Sequence, residues 1–137
     1  DIMTIEVISI QPRDTMDKVD QIFETHSIHH IPVVELGRVV GMISKSDYYQ
    51  ILHGFTLFKA PVSKTYNDAV LRSLLVREVM TKQVACLGPQ DTLAKAADYF
   101  RENLFHAIPI VDEDGQLMGI LSTYDLLTYC FNGASVE

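Results

Sequence analysis

Apolar and polar positions fall in blocks along this chain, and the blocks come in two sets. Val7-Ile8-Ser9-Ile10 stops just before Pro12, and Val84-Ala85-Cys86-Leu87 just before Pro89. Both runs predict brief strands or extended segments. Asp14 and Asp91 come next, each placed to offer a side-chain oxygen to the first free amides of a helix. Leu93, Ala96, Ala97 and Phe100 fall at i, i+3, i+4 and i+7, which gives a helix one apolar face. Met16, Val19 and Phe23 keep that stripe in the first half, where Asp20 replaces one member.

Ile31-Pro32-Val33-Val34 and Ile108-Pro109-Ile110-Val111 follow. Each leads through a glycine-bearing polar turn, Glu35–Arg38 or Asp112–Gly115, into a second apolar run, Val39–Ile43 or Leu117–Leu121. The pattern is a strand–turn–strand hairpin. A final helix is predicted over Tyr48–Leu52 and again over Leu126–Tyr129. Between the sets, His53–Arg77 reads as a connector, with Asn67 as the cap of a helix through Ala69, Val70, Leu74 and Leu75. Phe55, Leu57 and Phe58 in that stretch are candidates for a regulatory or oligomer-forming role.

The two sets are copies. Met3-Thr4, Pro12, Asp14-Thr15, Phe23, His29 and Ile31-Pro32 recur as Met80-Thr81, Pro89, Asp91-Thr92, Phe100, His106 and Ile108-Pro109, at a constant offset of 77 residues. One extra turn residue then shifts Gly41, Ser44 and Asp47 to Gly119, Ser122 and Asp125. Two copies make a pseudo-symmetric pair, not a solenoid. A unit of roughly 50 residues is too small to cover both faces of its own sheet. The expected fold is therefore α+β: two β-α-β-β-α repeats, 1–53 and 78–137, packed sheet to sheet as one module around the connector 54–77.

Composition narrows the function. The 137 residues are 47% hydrophobic and carry a net charge of −7, which argues against a general nucleic-acid surface but not against a small phosphate ligand. Cys86 and Cys130 have no metal-ligand spacing and read as reduced thiols. Neither a secretory leader nor an apolar run of membrane-spanning length is present, so a cytoplasmic domain is expected. The chain opens at Asp1, already inside the first repeat, as a fragment of a longer protein would.

Two polar elements recur. Ser44-Lys45-Ser46-Asp47 and Ser122-Thr123-Tyr124-Asp125 each join a buried strand to a helix. A helix start exposes free N–H groups and attracts phosphate, and an aspartate there can accept from both hydroxyls of a ribose. Ordinary N-capping also explains such a tetrad. His29-His30 and His106-Ala107 precede Ile-Pro, where the backbone is held extended and an imidazole can face a phosphate. A half-buried histidine with a satisfied N–H is the simpler reading of either one alone.

Met-Thr, Pro-x-Asp-Thr, His-x-Ile-Pro and Gly-x-x-Ser-x-x-Asp, in this order and twice over, resemble the cystathionine-β-synthase (CBS) domain family; the tandem resembles a CBS pair, or Bateman module. The resemblance implies a regulatory module that binds AMP, ADP or ATP, or else S-adenosylmethionine. Such a module needs no cofactor, and it shifts the conformation or assembly of a partner or attached domain. It further implies clefts that cross the repeats. Met42, Ser44, Ser46 and Asp47 would meet Ala85, His106 and Ala107, while Ile120, Ser122, Tyr124 and Asp125 would meet Ile8, His29 and His30, with Thr4 and Thr81 at the borders. The family's basic residue after the histidine is replaced by His30 and Ala107, with Lys45 near one motif and bulky Tyr124 in the other, so a monophosphate fits best. Ligand-independent dimerisation through Met16–Glu24, Leu93–Arg101 and the terminal helices is the alternative. Catalysis is not expected: the chain has no phosphate-binding Gly-Lys-Ser/Thr loop and no assignable triad. Nor is a metal expected at His26, His29 and His30, because adjacent side chains on an extended chain point to different sides.

Overall fold

The computed structural model describes residues 2–55, 63–103 and 106–131. Along the chain run α1 (Met16–Thr25), β1 (His30–Glu35), β2 (Arg38–Ser44), α2 (Lys45–Phe55), α3 (Ser63–Ser73), α4 (Val76–Val79), α5 (Leu93–Asn103), β3 (Ala107–Val111), β4 (Leu117–Ser122) and α6 (Thr123–Phe131). The strands form two separate two-stranded sheets, β1 with β2 and β3 with β4. This is a mixed α+β chain in which each repeat carries one hairpin and two flanking helices.

The chain divides into two compact units that do not coincide with the sequence repeats. The early unit holds Ile8–Leu36 and Val40–Gln83; the late unit holds Asp1–Val7, Gly37–Val39 and Val84–Glu137. The opening Met-Thr segment of each repeat therefore lies in the unit built mainly from the other repeat.

In the early unit Met16, Val19 and Phe23 of α1 pack with Ile31 and Val33 of β1, Ile43 of β2 and Tyr48 of α2. The connector adds Leu71 from α3 and Val76 from α4. Asp20, the polar member of the α1 stripe, accepts a hydrogen bond from the Tyr48 hydroxyl. In the late unit Ala96 and Phe100 of α5 pack with Ile108, Ile110, Leu121 and Leu87.

Local chemistry explains where the elements differ from expectation. The runs before Pro12 and Pro89 make only single-residue parallel bridges, Ile10 with Val33 and Leu87 with Ile110. Each is held by two hydrogen bonds: Ile10 N–H donates to the Pro32 carbonyl (3.1 Å) and the Ile10 carbonyl accepts from Val34 N–H (2.7 Å), while Leu87 N–H donates to the Pro109 carbonyl (3.1 Å) and the Leu87 carbonyl accepts from Val111 N–H (2.8 Å). Proline has no N–H of its own to donate to a ladder. Asp14 and Asp91 do not cap the helices. They reach backward instead, accepting from the backbone of Gln11 (2.8 Å) and Gly88 (2.7 Å). Thr92 caps α5, its hydroxyl accepting from Lys95 N–H at 3.1 Å. The N-cap residue of α1, Thr15, makes no side-chain capping bond.

Asn67 is not a cap either, since α3 begins four residues earlier at Ser63. The predicted terminal helices start sooner, at Lys45 and Thr123, because each follows its strand without a loop. Leu57 and Phe58 lie outside the described residues, as does the side chain of Phe55. In the first hairpin Leu36 and Gly37 both take positive φ (53° and 83°), the twist that a two-residue turn between strands requires. In the second, the added residue gives a wider turn, where the Asp112 carboxylate accepts from Asp114 and Gln116, each at 2.9 Å.

Candidate functional site

Both Ser-x-x-Asp elements form reciprocal capping boxes. Ser44 N–H donates to Asp47 Oδ2 at 3.3 Å, and Asp47 N–H donates to Ser44 Oγ at 3.0 Å. Ser122 and Asp125 repeat both bonds at 3.0 Å. Each box satisfies two otherwise orphaned groups at a helix start. It leaves one carboxylate oxygen and the serine hydroxyl proton uncommitted. Among the described residues neither Asp47 Oδ1 nor Asp125 Oδ1 takes a hydrogen bond. Capping and ligand binding are therefore compatible at the same residue.

The surroundings of the boxes are built alike in the two units. Next to the first box Met42 exchanges two backbone hydrogen bonds with Thr81, at 3.1 and 2.9 Å, and Lys45 N–H donates to the His29 carbonyl at 2.8 Å. Next to the second, Ile120 exchanges bonds with Thr4 at 3.0 and 2.9 Å, and Thr123 N–H donates to the His106 carbonyl at 2.9 Å. Ala107 lies opposite Ser122 in the β3–β4 ladder. His30 begins β1 just as Ala107 begins β3.

These contacts join each aspartate element to the histidine segment of its own unit. Asp47 shares a unit with His29, His30 and Thr81, and Asp125 with His106, Ala107 and Thr4. The contacts form because each strand enters its helix directly and the first helical amide reaches back to the adjacent hairpin strand. Ile8 lies in the early unit and Ala85 in the late one, each two residues before a bridge residue.

The glycine of each motif has a role that sequence reasoning did not assign. A Cβ on Gly41 would stand 2.5 Å from Met80 Sδ and 3.0 Å from the Thr81 carbonyl oxygen. One on Gly119 would stand 2.6 Å from Met3 Sδ and 2.8 Å from the Thr4 carbonyl oxygen. The missing side chain lets the Met-Thr segment lie directly on the strand. The signal was present in the matched recurrence of Met-Thr and Gly, which reports a contact between them.

The two boxes differ in their flanking residues. The Lys45 ammonium sits 5.9 Å from the Tyr49 ring centroid, within cation–π range. Thr123 takes that place in the late unit, and Tyr124 beside it is 76% exposed where the early unit has Ser46. Burial pushes the Cys86 thiol above its ordinary pKa, which lowers its nucleophilicity at neutral pH. Among the described residues no group of three or more His, Cys, Asp or Glu is placed to hold a metal ion. No helix there is long and apolar enough to cross a membrane.

A family model for the CBS domain matches residues 1–54 and 76–132. The chain belongs to the CBS domain family. The Methanocaldococcus jannaschii protein MJ1225 is 29% identical over 129 residues, covering 94% of this chain and 45% of that protein. Its crystal structure superposes with a TM-score of 0.80 at 28% identity, over 94% of this chain and 46% of that one. Inosine-5′-monophosphate dehydrogenase of the same organism is 31% identical over 123 residues, covering 89% of this chain but 21% of the enzyme. The crystal structure of CBSX2 in complex with AMP gives a TM-score of 0.76 at 24% identity, over 95% of this chain and 93% of that one. This chain thus spans less than half of MJ1225 and about a fifth of the dehydrogenase.

Proposed function

We propose that this CBS-domain chain is a non-catalytic regulatory module that binds an adenine nucleotide, AMP before ADP, ATP or S-adenosylmethionine. Asp47 and Asp125 would hold the ribose through their uncommitted Oδ1 atoms. Ser44 and Ser46 on one side, and Ser122 on the other, would face phosphate at the start of α2 or α6, where free amides and the helix dipole favour an anion. Met42 with Thr81, and Ile120 with Thr4, would wall the base. His29 and His30, or His106 and Ala107, would flank the phosphate, with Tyr124 narrowing the second site.

The observation that carries this reading is the capping box that leaves one oxygen of each aspartate unspent. AMP bound to CBSX2, a protein of the same fold, supports the choice of ligand. Binding would favour one conformation of the module and so shift an attached domain or partner. A second reading, assembly into a homodimer, draws on Tyr124, Leu127 and Phe131, which stand exposed at i, i+3 and i+7 on α6.

Calorimetric titration of nucleotide-free protein with AMP, ATP and S-adenosylmethionine tests the function. Asp47→Ala and Asp125→Ala should each weaken AMP at one site about 10- to 100-fold, the worth of a hydrogen bond to a charged group, and lower the melting temperature modestly through the lost capping bond without unfolding the chain. Unchanged affinity in both variants refutes the ribose assignment.

A further inference from the structure

Tyr48 follows Asp47 directly on α2, and the two point about 100° apart around the helix axis. Tyr48 is only 5% exposed. Its ring lies 5.6 Å from the ring of Phe23 on α1, centroid to centroid. Its hydroxyl donates to Asp20, also on α1. A directional bond at the end of a rigid ring constrains the rotation of α2 about its own axis in addition to the packing of the ring on Phe23. The same rotation decides where Asp47 aims.

The other repeat shows that the fold does not need this bond. Leu126 stands where Tyr48 does, Ala97 where Asp20 does, and the late unit packs without a polar link between α5 and α6 at those positions. A half-buried carboxylate in an apolar stripe costs free energy unless it is hydrogen-bonded. We propose that Asp20 and Tyr48 are positioning residues that brace α2 and hold Asp47 in its ligand-binding orientation, a support beyond the capping box that the late site lacks. This deepens the proposed function and rests on Asp47 contacting the nucleotide.

Three variants test the brace, each made in an Asp125→Ala background so that only the early site reports. Tyr48→Phe, and Asp20→Ala combined with Tyr48→Leu, should weaken AMP about tenfold. Asp20→Asn, which keeps an acceptor for the hydroxyl, should restore affinity to within about twofold. The same changes in an Asp47→Ala background should leave the late site unaltered. Amide hydrogen exchange without nucleotide gives an independent readout. Protection of the Ser44 and Asp47 amides should fall in Tyr48→Phe and Asp20→Ala/Tyr48→Leu and persist in Asp20→Asn, with β1 unchanged. Unaltered affinity or unaltered protection in the folded double variant overturns the proposal. If wild-type protein binds no AMP, the nucleotide reading fails, and the exchange result alone decides whether the brace exists.

Discussion

One repeated sequence programme yields two units with cores of different depth. In the early unit the connector closes the core, placing Leu71 and Val76 beside Met16 and Val19, all 3% exposed or less. In the late unit the positions of Met16 and Val19 are taken by half-buried Leu93 and by small Ala96. Correspondingly, α6 contributes no buried residue and leaves Tyr124, Leu127, Tyr129 and Phe131 exposed. Two copies of one sequence pattern are therefore not packed alike: the connector adds Leu71 and Val76 to the early core.

Truncation of matched core positions should break this comparison most sharply. Met16→Ala should cost about 2–5 kcal/mol, whereas Leu93→Ala at the half-buried counterpart should cost about half as much, because less contact is lost. Urea denaturation of both variants measures the difference, and equal losses would mean that the connector does not deepen the early core. Next in size are the motif glycines. Gly41→Ala and Gly119→Ala each force a Cβ onto Met-Thr, at a cost of about 1–3 kcal/mol for overpacking. Both meet a movable methionine tip, and Gly119→Ala should be the worse of the two because it meets a backbone carbonyl oxygen at 2.8 Å where Gly41→Ala meets one at 3.0 Å. Thermal melts that rank them the other way would place the strain in the side chain and not in the backbone.

The smallest effect concerns acid. The Gly88 N–H, with a lesser contribution from Lys95, holds the Asp91 carboxyl below its ordinary value of 3.8. A group lowered in the folded state contributes stability above its unfolded pKa and loses that contribution as pH falls through the folded one. Asp91→Asn should therefore lower the melting temperature slightly at neutral pH and flatten its fall below about pH 4, the two proteins converging in acid. An identical acid limb in both proteins would show that this carboxylate does not matter to the late unit.

Much of this was legible in the sequence. The hairpins, the amphipathic helices α1 and α5 and the Ser-x-x-Asp boxes all follow from local spacing, and local spacing is what periodicity records. The capping roles of Asp14 and Asp91 were misread because a carboxylate three residues past a free amide can turn back as easily as forward. Asp20 stood out as a flaw in a stripe, but its partner Tyr48 lies 28 residues away, and no local pattern links them.

The sequence by itself determined the repeat, the order of elements and the family, since each depends on contacts a few residues apart or on a pattern written twice. Only the tertiary structure decided that Met3-Thr4 and Met80-Thr81 pack in the unit opposite their own repeat, that the first helical amides reach back to His29 and His106, and that Asp20 meets Tyr48. Those are choices among distant partners, settled by which surfaces fit without clash, and a one-dimensional pattern does not encode fit.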